Sequence, residues 1–249
     1  MASYKIVPLR THDDIDREAL ENGLERHSAL KTPDPRDVEG ADPRRGPLPY
    51  TLQSFGKGIH FFEFGYQDEE TTTDLEGNER QSIYPVRRQV VFLGNGYLAA
   101  DARCANDVQT EILYLVSSML GTEIVLEPVE FDDDTLRDVI DRAEKVEQAD
   151  FDPATAGMPD KVSGKNRSGL RDTQLWTDIG EEPIEKVRVN LPDKRVEKRV
   201  GFKDDGVVTI YGQNIAPKLS SSILRHITDE VVSNLESETF QQRLGGVNP

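Results

Sequence analysis

An α+β fold, with helices packed on an antiparallel sheet and joined by extended loops, follows from three features of the sequence. Strand-like apolar stretches recur at 59–66, 82–93, 97–101 and 206–211. Apolar residues at three- and four-residue spacing mark amphipathic helices at 106–120 and 219–235. Gly94-Asn95-Gly96 lies between two strand-like stretches and asks for a tight turn, because glycine and asparagine tolerate positive φ.

The elements follow in chain order. Met1 to Arg10 has a lone lysine and only a brief apolar stretch, so it reads as a first strand rather than a secretory signal. Thr11 to Leu30 reads as a helix capped by Thr11 or Asp13, with Ile15, Ala19, Leu20 and Leu24 forming its stripe and Gly23 weakening it. The run from Thr32 to Pro49 is rich in proline, Asp and Gly and predicts an extended arm. His60, Phe62, Phe64 and Tyr66 share one face of the next strand. Asp68 to Arg80 is polar and predicts a hairpin tip or projecting loop containing Glu76 and Asn78.

Asn106–Leu120 carries Val108, Ile112, Leu115 and Met119 on one face and stops at Gly121. A strand is expected over Thr122–Phe131. A helix follows, opened by Asp132-Asp133-Asp134 and turning Leu136, Ile140, Ala143 and Val146 inward. Strands are expected at 186–191, 195–202 and 206–211, before a last helix introduced by Pro217. Composition divides the chain into a larger α+β part over 1–150, a linker or extended loop over 151–180 and a smaller hairpin-plus-helix part over 181–249.

Two segments line up. Val90, Phe92, Gly96 and Leu98 match Val200, Phe202, Gly206 and Val208. After a one-residue insertion Val108, Ile112, Val116 and Leu120 match Leu219, Ile223, Ile227 and Val231. Both read as hairpin then helix, an organisation of two ββα-type units that would bury their apolar faces by pairing.

The chain has 249 residues, 36% of them apolar and 31% charged, enough for a sizeable core. Its formal net charge is −16, and its basic residues are 19 Arg against 11 Lys. Acid excess with arginine in place of lysine resembles the composition of proteins from salt-accumulating halophiles. Such a charge repels itself in dilute buffer, whereas at about 1 M salt the Debye length is ~3 Å and the repulsion is screened. The acidity disfavours a general polyanion binder. No apolar run is long enough for a membrane span, and a cytoplasmic setting, or a particle assembled there, is expected.

Motifs exclude more than they identify. There is no Walker A loop, no GxGxxG, no GxSxG and no HExxH. One cysteine, Cys104, forms neither a disulfide nor a thiolate zinc cluster. Period two sends His60 and Glu63 to opposite faces. Asp132 to Asp134 are better read as a helix start than as metal ligands. No cofactor or metal site is expected, and no catalytic residue is assigned. The segment Lys161 to Arg171 has four cations, Lys161, Lys165, Arg167 and Arg171, and no acid; it is a candidate grip for phosphates or for an acidic partner.

The leading expectation is a non-catalytic subunit of a larger assembly, a virion or another multimer, that meets protein partners through its arm and its hairpin. A nucleic-acid-handling or regulatory protein using the basic loop and the sheet face is the second reading. A metal-dependent enzyme with dispersed carboxylates is the third.

Overall fold

The structure is a computed structural model that describes residues 1–9, 15–31, 34, 36, 44–103, 106–121, 129–153, 161–192, 198–213 and 215–232. Among the described residues ten strands and five α-helices make a mixed α+β protein, and every strand pair given below is antiparallel. By internal contacts the chain divides into two compact units. One is Val7–Leu126; the other joins Met1–Ile6 to Glu127–Pro249.

In the Val7–Leu126 unit, helix α1 (Arg17–Arg26) precedes β2 (Arg45–Gly56), β3 (Ile59–Thr73), β4 (Glu79–Phe92) and β5 (Tyr97–Asp101), and α2 (Asn106–Leu120) closes it. The strands pair in chain order, β2-β3-β4-β5. Helix α1 is shorter than the 11–30 stretch because Asp16, not Thr11 or Asp13, caps it, its side chain accepting from the Glu18 N–H. Thr11 and Asp13 lie outside the described residues. A Cβ on Gly23 would stand 3.1 Å from the Met119 side chain of α2. The glycine that weakens α1 as a helix thus lets α2 approach it.

Phe62 and Phe64 of β3, Val90 and Phe92 of β4 and Leu98 of β5 join Leu20, Leu24, Ile112 and Val116 in one apolar cluster. The stripes read from the sequence supply most of this cluster, but Ala19, expected on the α1 stripe, is exposed. Full burial of each such side chain contributes roughly 1.5–3 kcal/mol.

The expected polar loop 68–80 is mostly strand. The β3–β4 ladder runs without a break from His60↔Phe92 to Thr73↔Glu79 and leaves only a short tip. Its run of acids, Asp68 to Glu70, and run of threonines, Thr71 to Thr73, put polar side chains on both faces, and hydropathy alone does not tell such a ribbon from a loop.

In the second unit, β1 (Ala2–Pro8) contributes Ala2–Lys5 to pairing with β10, and α3 (Asp133–Arg142), β6 (Lys145–Phe151), β7 (Val162–Lys165), α4 (Gln174–Ile179), β8 (Ile184–Leu191), β9 (Lys198–Lys203), β10 (Val207–Ile210) and α5 (Pro217–Ile227) follow. The strand order is β1-β10-β9-β8-β6-β7. Asp132 caps α3 through the Thr135 N–H. Val146, expected on that helix, belongs to β6, because Ala143 is already extended and ends the helix. The 151–180 segment, low in apolar residues, contains β7 and α4. Thr173 caps α4, and Leu170 is buried as its N–H donates to Val146 O. Cys104, most of the proline-rich arm and most of Thr122–Phe131 lie outside the described residues.

The aligned hairpins share a register. Phe92 pairs with Leu98 and Val90 with Ala100, while Phe202 pairs with Val208 and Val200 with Ile210. Gly96 and Gly206 turn at φ 84° and 80°. The matched helix positions Ile112 and Ile223, Val116 and Ile227 are all buried.

Candidate functional site

Beyond Arg45↔Tyr66 the β3–β4 pair has no third strand among the described residues. From Gln67 to Pro85 it is a two-stranded ribbon of the Val7–Leu126 unit, exposed over most of both faces. Asp68, Glu69, Glu70, Asp74, Glu76 and Glu79 face a single cation, Arg80, along it. Leu75, Ile83 and Tyr84 are exposed apolar residues on the same ribbon.

The tip is built around Asp74. Its carboxylate accepts the backbone N–H groups of Glu76 and Asn78 at 2.9 Å each and the Asn78 amide at 3.2 Å. Gly77 supplies φ +87°. Hydrogen bonds from Asn78, backbone first, hold the Asp74 carboxyl below its ordinary value. Glu76 and Asn78 are thus adjacent on the turn, Asn78 folded inward on Asp74. Lower down, the Tyr84 hydroxyl donates to Asp68 at 3.3 Å, and that carboxylate raises the phenol.

In the second unit the basic segment is tied down. Lys161 pairs with Glu185, whose hydrogen bond raises the ammonium, and Lys165 lies on β7. Asn166 donates its N–H to Glu147 O at 2.9 Å and folds a turn on which Arg167 is exposed. Arg171 reaches Ala143 O at 3.4 Å and lines a cavity of about 390 Å³ with Lys145, Ser168 and Asn190. The four cations do not converge on one point. Lys165 and Arg171 instead stand beside a larger surface.

That surface is one face of the β1-β10-β9-β8-β6-β7 sheet. Cross-strand partners share a face, and the register sets out rows of them. One row runs Lys165–Gln148–Arg188–Gly201–Thr209–Ser3, and beside it lie Ser163–Asp150–Lys186–Lys203 and Asn190–Arg199. Side chains meet along it. Ser3 and Thr209 hydroxyls are 2.9 Å apart, Arg188 donates to Gln148 at 2.5 Å, and the Arg188 guanidinium sits 5.0 Å from the Tyr211 ring centroid. Tyr211 lies close over Gly201, where a Cβ would stand 3.1 Å from the ring. Glu147, its side chain only 6% exposed, holds Arg199 at 2.8 Å and lies 3.9 Å from Arg188.

The sequence reading names a sheet face without its residues, because the cations are dispersed along the chain. The signal was present as alternation in Lys186-Val187-Arg188-Val189-Asn190, where polar and apolar residues take opposite faces.

His60 is a core histidine between the Ser54 hydroxyl at 2.8 Å and the Ile15 carbonyl at 3.2 Å, and Glu63 pairs with Arg87 on the other face. Among the described residues no three His, Cys, Asp or Glu side chains are grouped to hold a metal, and no helix is long and apolar enough to cross a membrane. The chain matches no protein-family model and no curated protein sequence.

Proposed function

We propose that the chain is a non-catalytic building block of an assembly of like subunits, engaging its neighbour through the β3–β4 ribbon. The ribbon itself carries this reading. A two-stranded hairpin alone is marginally stable in water, yet this one extends well past its last third-strand contact and bears Leu75, Ile83 and Tyr84 in the open. Its free edges offer backbone groups for strand addition, and its acids keep it soluble until it is met. A virion or another multimer in a salt-rich cell fits the acidic composition, and helices covering the antiparallel sheet as two ββα-type units would give the rigid bodies that such an assembly needs.

The test is native mass by light scattering in 2 M KCl, over a hundredfold range of concentration, for the full chain and a variant with 71–81 replaced by Asn-Gly, which keeps Glu70 opposite Ser82. A defined oligomer that the shortened ribbon reduces to monomer, with thermal unfolding unchanged, is the expected result. A full chain that stays monomeric throughout overturns the reading.

A further inference from the structure

We infer that the open face of the β1-β10-β9-β8-β6-β7 sheet is a docking surface for a single strand of nucleic acid. In a chain of net charge −16 this one face gathers Lys5, Lys165, Lys186, Arg188, Arg199 and Lys203, with Glu147, Asp150, Glu185, Asp204 and Asp205 as the acids beside them. The cations are unequal. Arg188 and Arg199 are set by Glu147, and Lys203 is paired with Asp205. Lys5, Lys165 and Lys186 have no ion-pair partner among the described residues.

Those three lie on β1, β8 and β7, the first, fourth and last of these six strands, across about 24 Å at the usual ~4.8 Å strand spacing. They are placed to follow an extended phosphate backbone, and their neutralisation is the term that drives such binding.

Two further features favour a single strand over a duplex. The sheet presents the Tyr211 ring close over Gly201 with the Arg188 guanidinium 5.0 Å from its centroid, an aromatic and guanidinium platform of the kind on which unpaired bases stack. At the end of β6 and β8 the face meets the 390 Å³ cavity, where Lys145, Arg171 and Ser168 stand around Asn190 together with Glu144 and Asp172. The Asn190 Oδ1 atom is buried without a hydrogen-bond partner among the described residues. An acceptor left so is costly, and the amino or imide N–H of a base turned out of the strand would satisfy it. This surface is independent of the ribbon, so it stands whether or not the chain assembles with itself.

The test is fluorescence anisotropy of a labelled mixed-sequence 20-nucleotide single strand, and of its duplex, from 0.1 to 0.5 M KCl, with circular dichroism recording the fold at each salt. The expected result is binding of the single strand at least tenfold tighter than of the duplex, weakening as salt rises. Lys5→Ala, Lys165→Ala and Lys186→Ala together should weaken it at least tenfold at 0.1 M and flatten the salt slope by about 2, at ~0.7 per cation. Asn190→Asp should weaken it severalfold with the fold unchanged, while Lys57→Ala, in the other unit, should bind as the parent does. The inference is overturned if the folded parent binds neither nucleic acid, if it binds the duplex equally well, or if the triple variant binds like the parent. It also falls if the triple variant changes only the native mass, since the face would then serve a protein neighbour.

Discussion

A Cβ built on Gly206 would stand 1.9 Å from the carbonyl oxygen of Val129, and Gly206 holds φ at +80°. The β9–β10 turn is therefore pressed against backbone that cannot yield as a side chain would. Gly77, at the ribbon tip, has a similar φ of +87° but nothing within 4 Å of the same virtual atom. Gly206→Ala should cost more than about 2 kcal/mol, combining left-handed strain with a backbone clash, and lower the melting temperature by several degrees. Gly77→Ala keeps only the strain, about 1–2 kcal/mol, confined to the tip, and should leave the main melting transition in place. Equal melting of the two variants would contradict the packing at Val129.

Glu147 is a buried carboxylate serving two arginines, with Arg199 at 2.8 Å and Arg188 at 3.9 Å. Glu147→Gln leaves both guanidinium groups without their counter-charge. Because Arg199 is half exposed, the loss should be about 1–3 kcal/mol rather than the larger cost of breaking a fully buried pair. Urea unfolding measures it, and a change below ~0.5 kcal/mol would show that solvent already carries those charges.

The Asp74 carboxyl is held below its ordinary value by Asn78 and by the tip amides. A depressed carboxylate gives order that is present above the unfolded pKa, near 3.9, and lost as pH falls through the lower folded value. The tip should therefore keep its geometry at pH 4 and loosen only below it. Amide shifts of Glu76 and Asn78 in an NMR titration should move with a midpoint under ~3.9. Asp74→Asn should remove that transition.

Composition predicts salt dependence. Forty-six acids against thirty bases should make the fold weaker in dilute buffer than in 2 M KCl. Thermal unfolding should move up by well over 5 °C between the two conditions. Identical melting would mean that the acid excess is not an adaptation to salt.

Much of this fold is legible where one period dominates. The Gly94-Asn95-Gly96 turn, the α2 stripe and the Asp132 cap of α3 each depend on local chemistry, and each is found in place. Two parts are not legible. Gly23 reads as a helix breaker because the Met119 contact that needs it comes from a helix nearly a hundred residues away in sequence. The ribbon reads as loop because hydropathy reports burial, and a strand exposed on both faces has none to report. The candidate face is hidden for a third reason. Its six lysines and arginines are spread over four strands, and the register, Gln148 between Lys165 and Arg188 for instance, makes neighbours of those far apart in the chain.

The matched hairpins carry one more implication. In each unit a helix leads into four strands and ends in a helix, α1-β2-β3-β4-β5-α2 and α3-β6-β8-β9-β10-α5. Each departs from that common plan at a different joint. The first lengthens the β3–β4 turn into the ribbon; the second inserts β7 and α4 between β6 and β8, bringing Lys165 and Arg171 with them. Both elaborations are grown from connections, the second adding Leu170 and Ile179 to the buried residues. The two activities proposed for the molecule are therefore separable by surgery. Trimming one joint should abolish one partner and spare the other, as in a tool whose two heads share a handle.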